Sequence, residues 1–185
     1  MTDPDLIAKK LAEIETYVRE LRALVSVEKI KRDVKEERFA AHTLQLAIQN
    51  TLDVASHIVS DERLGEPQTN QELFTLLERN GWLDAPLALN LRSMAGFRNI
   101  LVHGYQKLNL DVLSDVLQNR LSDLIDFVQA IRQRARVSMR LDEQLRRQAI
   151  YRSNRRPNSN WRFNLKVARA LGLTSRNRSF FGPMR

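Results

Sequence analysis

Apolar residues recur near the start of the chain at steps of four and three: Ile7, Leu11, Ile14, Val18, Leu21 and Val25. That period lays one stripe along a helix, with Lys9, Glu13 and Glu20 on other faces. Pro4 suits the first turn, where its missing N–H costs nothing, and Thr2 or Asp3 is the cap. A second helix is expected from about Lys29 to Ser60. Ala41, Leu44, Ile48, Thr51, Ala55 and Ile58 form its main stripe. Leu46, Leu52, Val54 and Val59 add apolar positions on other sides, the mark of a helix lying against several partners. Gly65-Glu66-Pro67 closes this region with breakers.

The same pattern predicts a short helix from about Asn70 to Arg79, stopped by Asn80-Gly81. Asp84-Ala85-Pro86 opens the next, with Leu87, Leu91, Met94, Phe97 and Leu101 on one face. Gly104 is where that helix ends or bends. Asn109 or Asp111 caps a last long helix striped by Leu113, Leu117, Leu121, Leu124, Val128 and Ile131. No segment shows the two-residue period of a strand. The reading is an all-α, up-and-down bundle of four long helices and one short one, occupying residues 1–137. After about Met139 the chain changes character. Asn158-Ser159-Asn160 and the Arg clusters read as loop, Asn164 to Leu171 as two helical turns ending at Gly172, and the last dozen residues as disorder.

Composition narrows the chemistry. The chain has no Cys among its 185 residues, which removes disulfides, thiolate zinc sites and cysteine nucleophiles together. This fits a cytoplasmic protein. Met1-Thr2-Asp3-Pro4-Asp5 does not resemble a signal peptide, and no apolar run approaches the roughly 20 residues of a membrane span. The net charge of +8 is uneven: residues 138–185 hold twelve Lys or Arg against Asp142 and Glu143, so the first 137 residues carry a small negative net charge. The basic extension therefore accounts for the high isoelectric point. A nucleic-acid role for the bundle must rest on a local site.

The local candidate is Arg98-Asn99-Ile100-Leu101-Val102-His103-Gly104-Tyr105. A guanidinium holds phosphate oxygens with two prongs, and imidazole is suited to proton transfer near neutral pH. On one unbroken helix Arg98 and His103 lie roughly 140° apart about the axis. Asn99 and His103, four residues apart, share a face, with Arg92 on the same line. Either the helix deforms near Gly104, or the site is built across a two-fold axis. The Arg-x4-His-x-Tyr pattern resembles the signature of HEPN-domain RNase toxins of the HepT family, a likeness that covers roughly residues 1–137.

The resemblance implies a homodimer with both motif copies in an interface cleft. It implies the toxin of a type VII-like toxin–antitoxin pair, a metal-independent endoribonuclease acting on tRNA or mRNA. Arg98 and His103 would be catalytic and Asn99 supporting. Tyr105 would be the residue that an MNT-type nucleotidyltransferase antitoxin modifies with AMP. ATP and Mg²⁺ would belong to that partner, and this chain would hold no cofactor or metal. Read without the family, Tyr105 is a half-buried aromatic with a wet hydroxyl. The resemblance also allows a non-catalytic binding module, in which the bundle is a platform for a nucleotidyltransferase or binds nucleotide in the same cleft. A third reading makes the tail an RNA-gripping arm, because Tyr151, Trp161 and Phe163 lie among Arg152, Arg155, Arg156 and Arg162. His57, four residues after Asp53, is a possible proton-sharing pair or a surface hydrogen bond. His42 reads as a packing or edge residue.

Overall fold

The computed structural model describes residues 4–103 and 108–155. Among them the regular structure is helical: α1 (Pro4–Leu24), a single 3-10 turn (Val27–Lys29), α2 (Val34–Asp61), α3 (Asn70–Arg79), α4 (Ala85–His103), α5 (Leu110–Asn119) and α6 (Leu121–Arg155). None of the helices among the described residues is long and apolar enough to cross a membrane. The chain divides between Val137 and Ser138 into two units. The expected caps Thr2 and Asp3, and the expected turns at 164–171, lie outside the described residues.

The predicted stripes form the core of the first unit. Leu11, Ile14, Val18 and Leu21 of α1 are buried, with Ile7 and Val25 half-buried beside them. α2 packs against α1, α3 and α4 and buries residues on several sides, including Leu44, Ile48, Leu52, Val54 and Val59. Leu91, Met94, Phe97 and Leu101 face inward from α4. Caps fix the entry points. The Thr69 hydroxyl accepts from the Glu72 N–H while the Glu72 carboxylate reaches back to the Gln68 N–H, a reciprocal N-terminal cap. Asp84 accepts from the Leu87 N–H, and Asn109 from the Asp111 N–H. Gly81, with φ +71°, takes the left-handed conformation that ends α3.

Three expectations are corrected. The second helix begins at Val34, not Lys29: Asp33 turns extended and caps it through the Lys35 N–H, and the preceding 3-10 turn tucks Ile30 into the core. The last long helix is two helices. It breaks at Arg120, whose φ of −119° leaves helical geometry, so six α-helices replace the expected five. α5 packs on the 3-10 turn, where Lys31 pairs with Asp111, while α6 is tied to α1 by Arg132. Finally, α6 runs to Arg155 through the Arg clusters read as loop. No Gly or Pro interrupts 138–155, so nothing local stops the helix over that span.

Two carboxylates on these contacts titrate in opposite senses. Arg132 grips Glu15 with two nitrogens, at 2.5 and 2.8 Å; that hydrogen bonding holds the Glu15 carboxyl below its ordinary value. Asp123, in the first turn of α6, is pushed up by burial, opposed by a hydrogen bond with Asn90 and the charge of Arg120. One of its oxygens is buried without a hydrogen-bond partner. Glu15 therefore contributes stability above the ordinary carboxylate range that is lost as pH falls through its lowered value. Asp123 does the reverse: its contribution is lost as pH rises through its raised value. The Asp123→Asn protein should melt at a higher temperature than the parent at pH 7, with the gap closing toward pH 3. Thermal unfolding across that range checks this, and a lower melting temperature for the variant at pH 7 would refute it.

Candidate active site

α4 is anchored on its inner face, and its outer face carries the motif. Leu89 and Ile100 stand 57% and 48% exposed, with Ser93 and Gly96 between them. Arg98 is half-buried. Its Nε is buried with no hydrogen-bond partner, and its Nη1 lies 3.5 Å from the Asn99 Oδ1. No described carboxylate pairs with this guanidinium, so its charge is left facing the amide of Asn99. Arg92 differs: it binds Glu78 at 2.8 Å and Thr75 at 3.3 Å. It is a strut between α3 and α4, and the line through Arg92, Asn99 and His103 loses its first member.

The structure thus brings Arg98 and Asn99 together. α4 stays helical through His103, so within one chain the angular separation of Arg98 and His103 stands. The His103 side chain lies outside the described residues, as do Gly104, Tyr105, the Tyr151 side chain and the basic segment 156–185. Among the weaker candidates, Asp53 is engaged by Lys10 at 2.6 Å and Gln49 at 2.8 Å, which ties α2 to α1 and leaves the suggested pairing with His57 unsupported. His42 is exposed on α2 beside Val34, Glu37 and Arg38. No group of three His, Cys, Asp or Glu among the described residues is placed to hold a metal ion.

One feature was missed from the sequence. A cavity of about 560 Å³ opens where α2, the loop before α3, and α4 meet. Its polar walls are Ser56, Gln68, Thr69, Asn70, Gln71 and Asn99. These come from three separate stretches, so spacing cannot reveal it. The one local signal was the polar run Gln68-Thr69-Asn70-Gln71, read only as the start of a helix.

The sequence matches the Ribonuclease HepT-like family over residues 11–131. It is 35% identical over 129 residues to the mRNA nuclease HepT of Shewanella oneidensis, spanning 69% of this chain and 97% of that one. It is 28% identical over 109 residues to the tRNA nuclease HepT of Aphanizomenon flos-aquae, spanning 58% of this chain and 74% of the other. The fold is similar to that of a tri-AMPylated Shewanella oneidensis HEPN toxin solved in complex with an MNT antitoxin. There the TM-score is 0.66 at 34% identity, covering 72% of this chain and 99% of that one.

Proposed function

The chain belongs to the HepT-like ribonuclease family, and from that premise we propose that it is the toxin of a HEPN/MNT toxin–antitoxin pair, a metal-independent endoribonuclease. The observation that carries this is Arg98: a half-buried guanidinium on the motif helix, with no described carboxylate partner and an amide at its edge. A cation that no described carboxylate neutralises suits a phosphate whose charge grows in the transition state.

The reaction is transesterification by the RNA's own 2′-hydroxyl. The 2′-oxygen attacks phosphorus, the bond to the 5′-oxygen breaks, and the products are a 2′,3′-cyclic phosphate and a free 5′-hydroxyl. One base must take the proton from the 2′-hydroxyl and one acid must give a proton to the 5′-oxygen. A homodimer supplies both as two copies of His103. The unbroken helix from Arg98 to His103 sets the two positions roughly 140° apart about its axis, which supports a composite site. The exposed Leu89 and Ile100 on the same face support a protein contact there. Arg98 stabilises the phosphorane-like charge and Asn99 positions the phosphate.

Control falls on Tyr105. A nucleotidyltransferase partner, using ATP and Mg²⁺, joins AMP to the phenol oxygen; the phenol loses its proton, the bond between the α- and β-phosphates breaks, and pyrophosphate leaves. An adenylate two residues from His103 adds charge and bulk where the RNA phosphate sits, and it competes with substrate directly. The tri-AMPylated toxin among the structural neighbours supports this reading. The substrate is tRNA or mRNA, and the two nuclease relatives divide between those classes.

The test is cleavage of total tRNA, and separately of an mRNA, in excess EDTA with the ends mapped. Fragments ending in 2′,3′-cyclic phosphate are expected. No cleavage by protein shown by mass spectrometry to be free of adenylate would sink the proposal and favour a non-catalytic platform.

A further inference from the structure

Asn99 belongs to two sites at once. Its amide faces Arg98, and it also lines the cavity between α2, α3 and α4. We propose that this cavity receives a nucleobase of the RNA next to the scissile phosphate, that Gln71 reads it, and that Asn99 at its edge joins it to the phosphate site. The assignment rests on the ribonuclease reading and adds a specificity pocket to it.

Four observations point to a base. The cavity, about 560 Å³, lies within the roughly 300–1,000 Å³ of small-ligand sites. No charged side chain is among its lining residues, which disfavours a phosphate and suits a neutral ring. The positive end of α3 is already matched by the Glu72 carboxylate in its first turn. The lining residues Pro67, Leu73 and Ala95 offer apolar surface against which a ring can lie, beside the side-chain amides. Each such amide carries a donor and an acceptor, the pairing by which Asn and Gln address adenine. In single-stranded RNA the base edges are free for such contacts.

Gly96 adds an independent mark. A Cβ there would stand 2.9 Å from the Gln71 Nε2, so the Gln71 amide lies close over α4, three residues before Asn99. Glycine inside a helix is less favourable than alanine. Here it makes room for the amide. The obstructed atom ends a flexible side chain, so Gly96→Ala should displace Gln71 and leave the helix intact.

The experiment has two arms. In the first, wild type, Gln71→Ala and Gly96→Ala cut a randomised RNA pool. Wild type should prefer adenine at one position flanking the cut, and both variants should lose that preference by about tenfold or more. In the second, AMP, GMP, CMP and UMP are titrated into full-length His103→Ala protein while the side-chain amide NMR signals of Gln71 and Asn99 are followed. All four share the phosphate, so a larger response to AMP reports the base. An unchanged preference in Gln71→Ala, or amide signals silent to all four nucleotides, overturns the proposal. If wild type cuts nothing, the ribonuclease reading fails, and the titration still decides whether the cavity binds a base. If protein adenylated on Tyr105 already shows the bound signals, and cleavage has no adenine preference, the occupant is the modification and the assignment to RNA is wrong.

Discussion

A His103→Ala protein should fold and dimerise as the parent does and cut RNA at least roughly 10²–10⁴-fold more slowly, the range for removing one general acid–base group. The loss should sit at the upper end or beyond, because the proposed homodimer would lose both proton carriers. Expression of this variant should no longer arrest growth. A mixed dimer makes the sharper test. If one imidazole takes the 2′-hydroxyl proton and the other serves the 5′-oxygen, a dimer with a single His103 lacks one half of the reaction. Differently tagged subunits, co-expressed and purified through both tags, give that species. It should be nearly as inactive as the double variant. Half the wild-type rate would mean that each protomer works alone, and the composite site would have to be abandoned.

The largest expected effect on stability lies at Phe127. Its side chain is fully buried and meets Phe74 edge to face, with ring centroids 6.2 Å apart and planes at 88°. This joins α6 to α3. Phe127→Ala removes the transfer free energy of the ring and leaves a cavity, together costing roughly 3–5 kcal/mol. The edge-to-face contact itself accounts for about 0.5–1.5 kcal/mol beyond area burial. Against a total stability of about 5–15 kcal/mol, that should lower the melting temperature by around 10 °C or more. Thermal unfolding followed by circular dichroism measures it. Phe127→Leu, which keeps most of the volume, should recover more than half of the loss. A Phe127→Ala protein melting within 3 °C of the parent, roughly a 1 kcal/mol change, would show that α6 is not held through this contact.

The helical stripes were legible because burial enforces them. Every position of the Leu11–Leu21 and Leu113–Ile131 stripes named from the sequence is buried. The caps at Asp84 and Asn109 were legible because an Asx side chain before an apolar run has one favourable use. The break at Arg120 was not legible. The apolar spacing passes through it undisturbed, and neither Gly nor Pro marks it. Asp33 stayed hidden inside an expected helix for a related reason, since one cap residue among Lys and Glu looks like an exposed face. Within the motif, spacing placed Arg98 and Asn99 on α4, but only the fold shows that Arg92 is taken by Glu78 while Arg98 has no described acidic partner. The cavity beside Asn99 depends on the packing of three elements, which no local pattern encodes.

The clasp between Arg132 and Glu15 closes a span of 117 residues. At synthesis rates of about 5–20 residues per second, Glu15 is made roughly 6–23 s before Arg132, its partner on α6. α1 can shelter against α2 during that wait, but its α6-facing side has nothing to close against. The nascent chain therefore passes through a half-built state in which the motif helix exists and the last wall of the bundle does not. Slowing translation near residue 120 should prolong that state and raise capture by chaperones or loss to proteases. The enzyme's yield in a cell would then depend on the timing of its own manufacture as well as on its final stability.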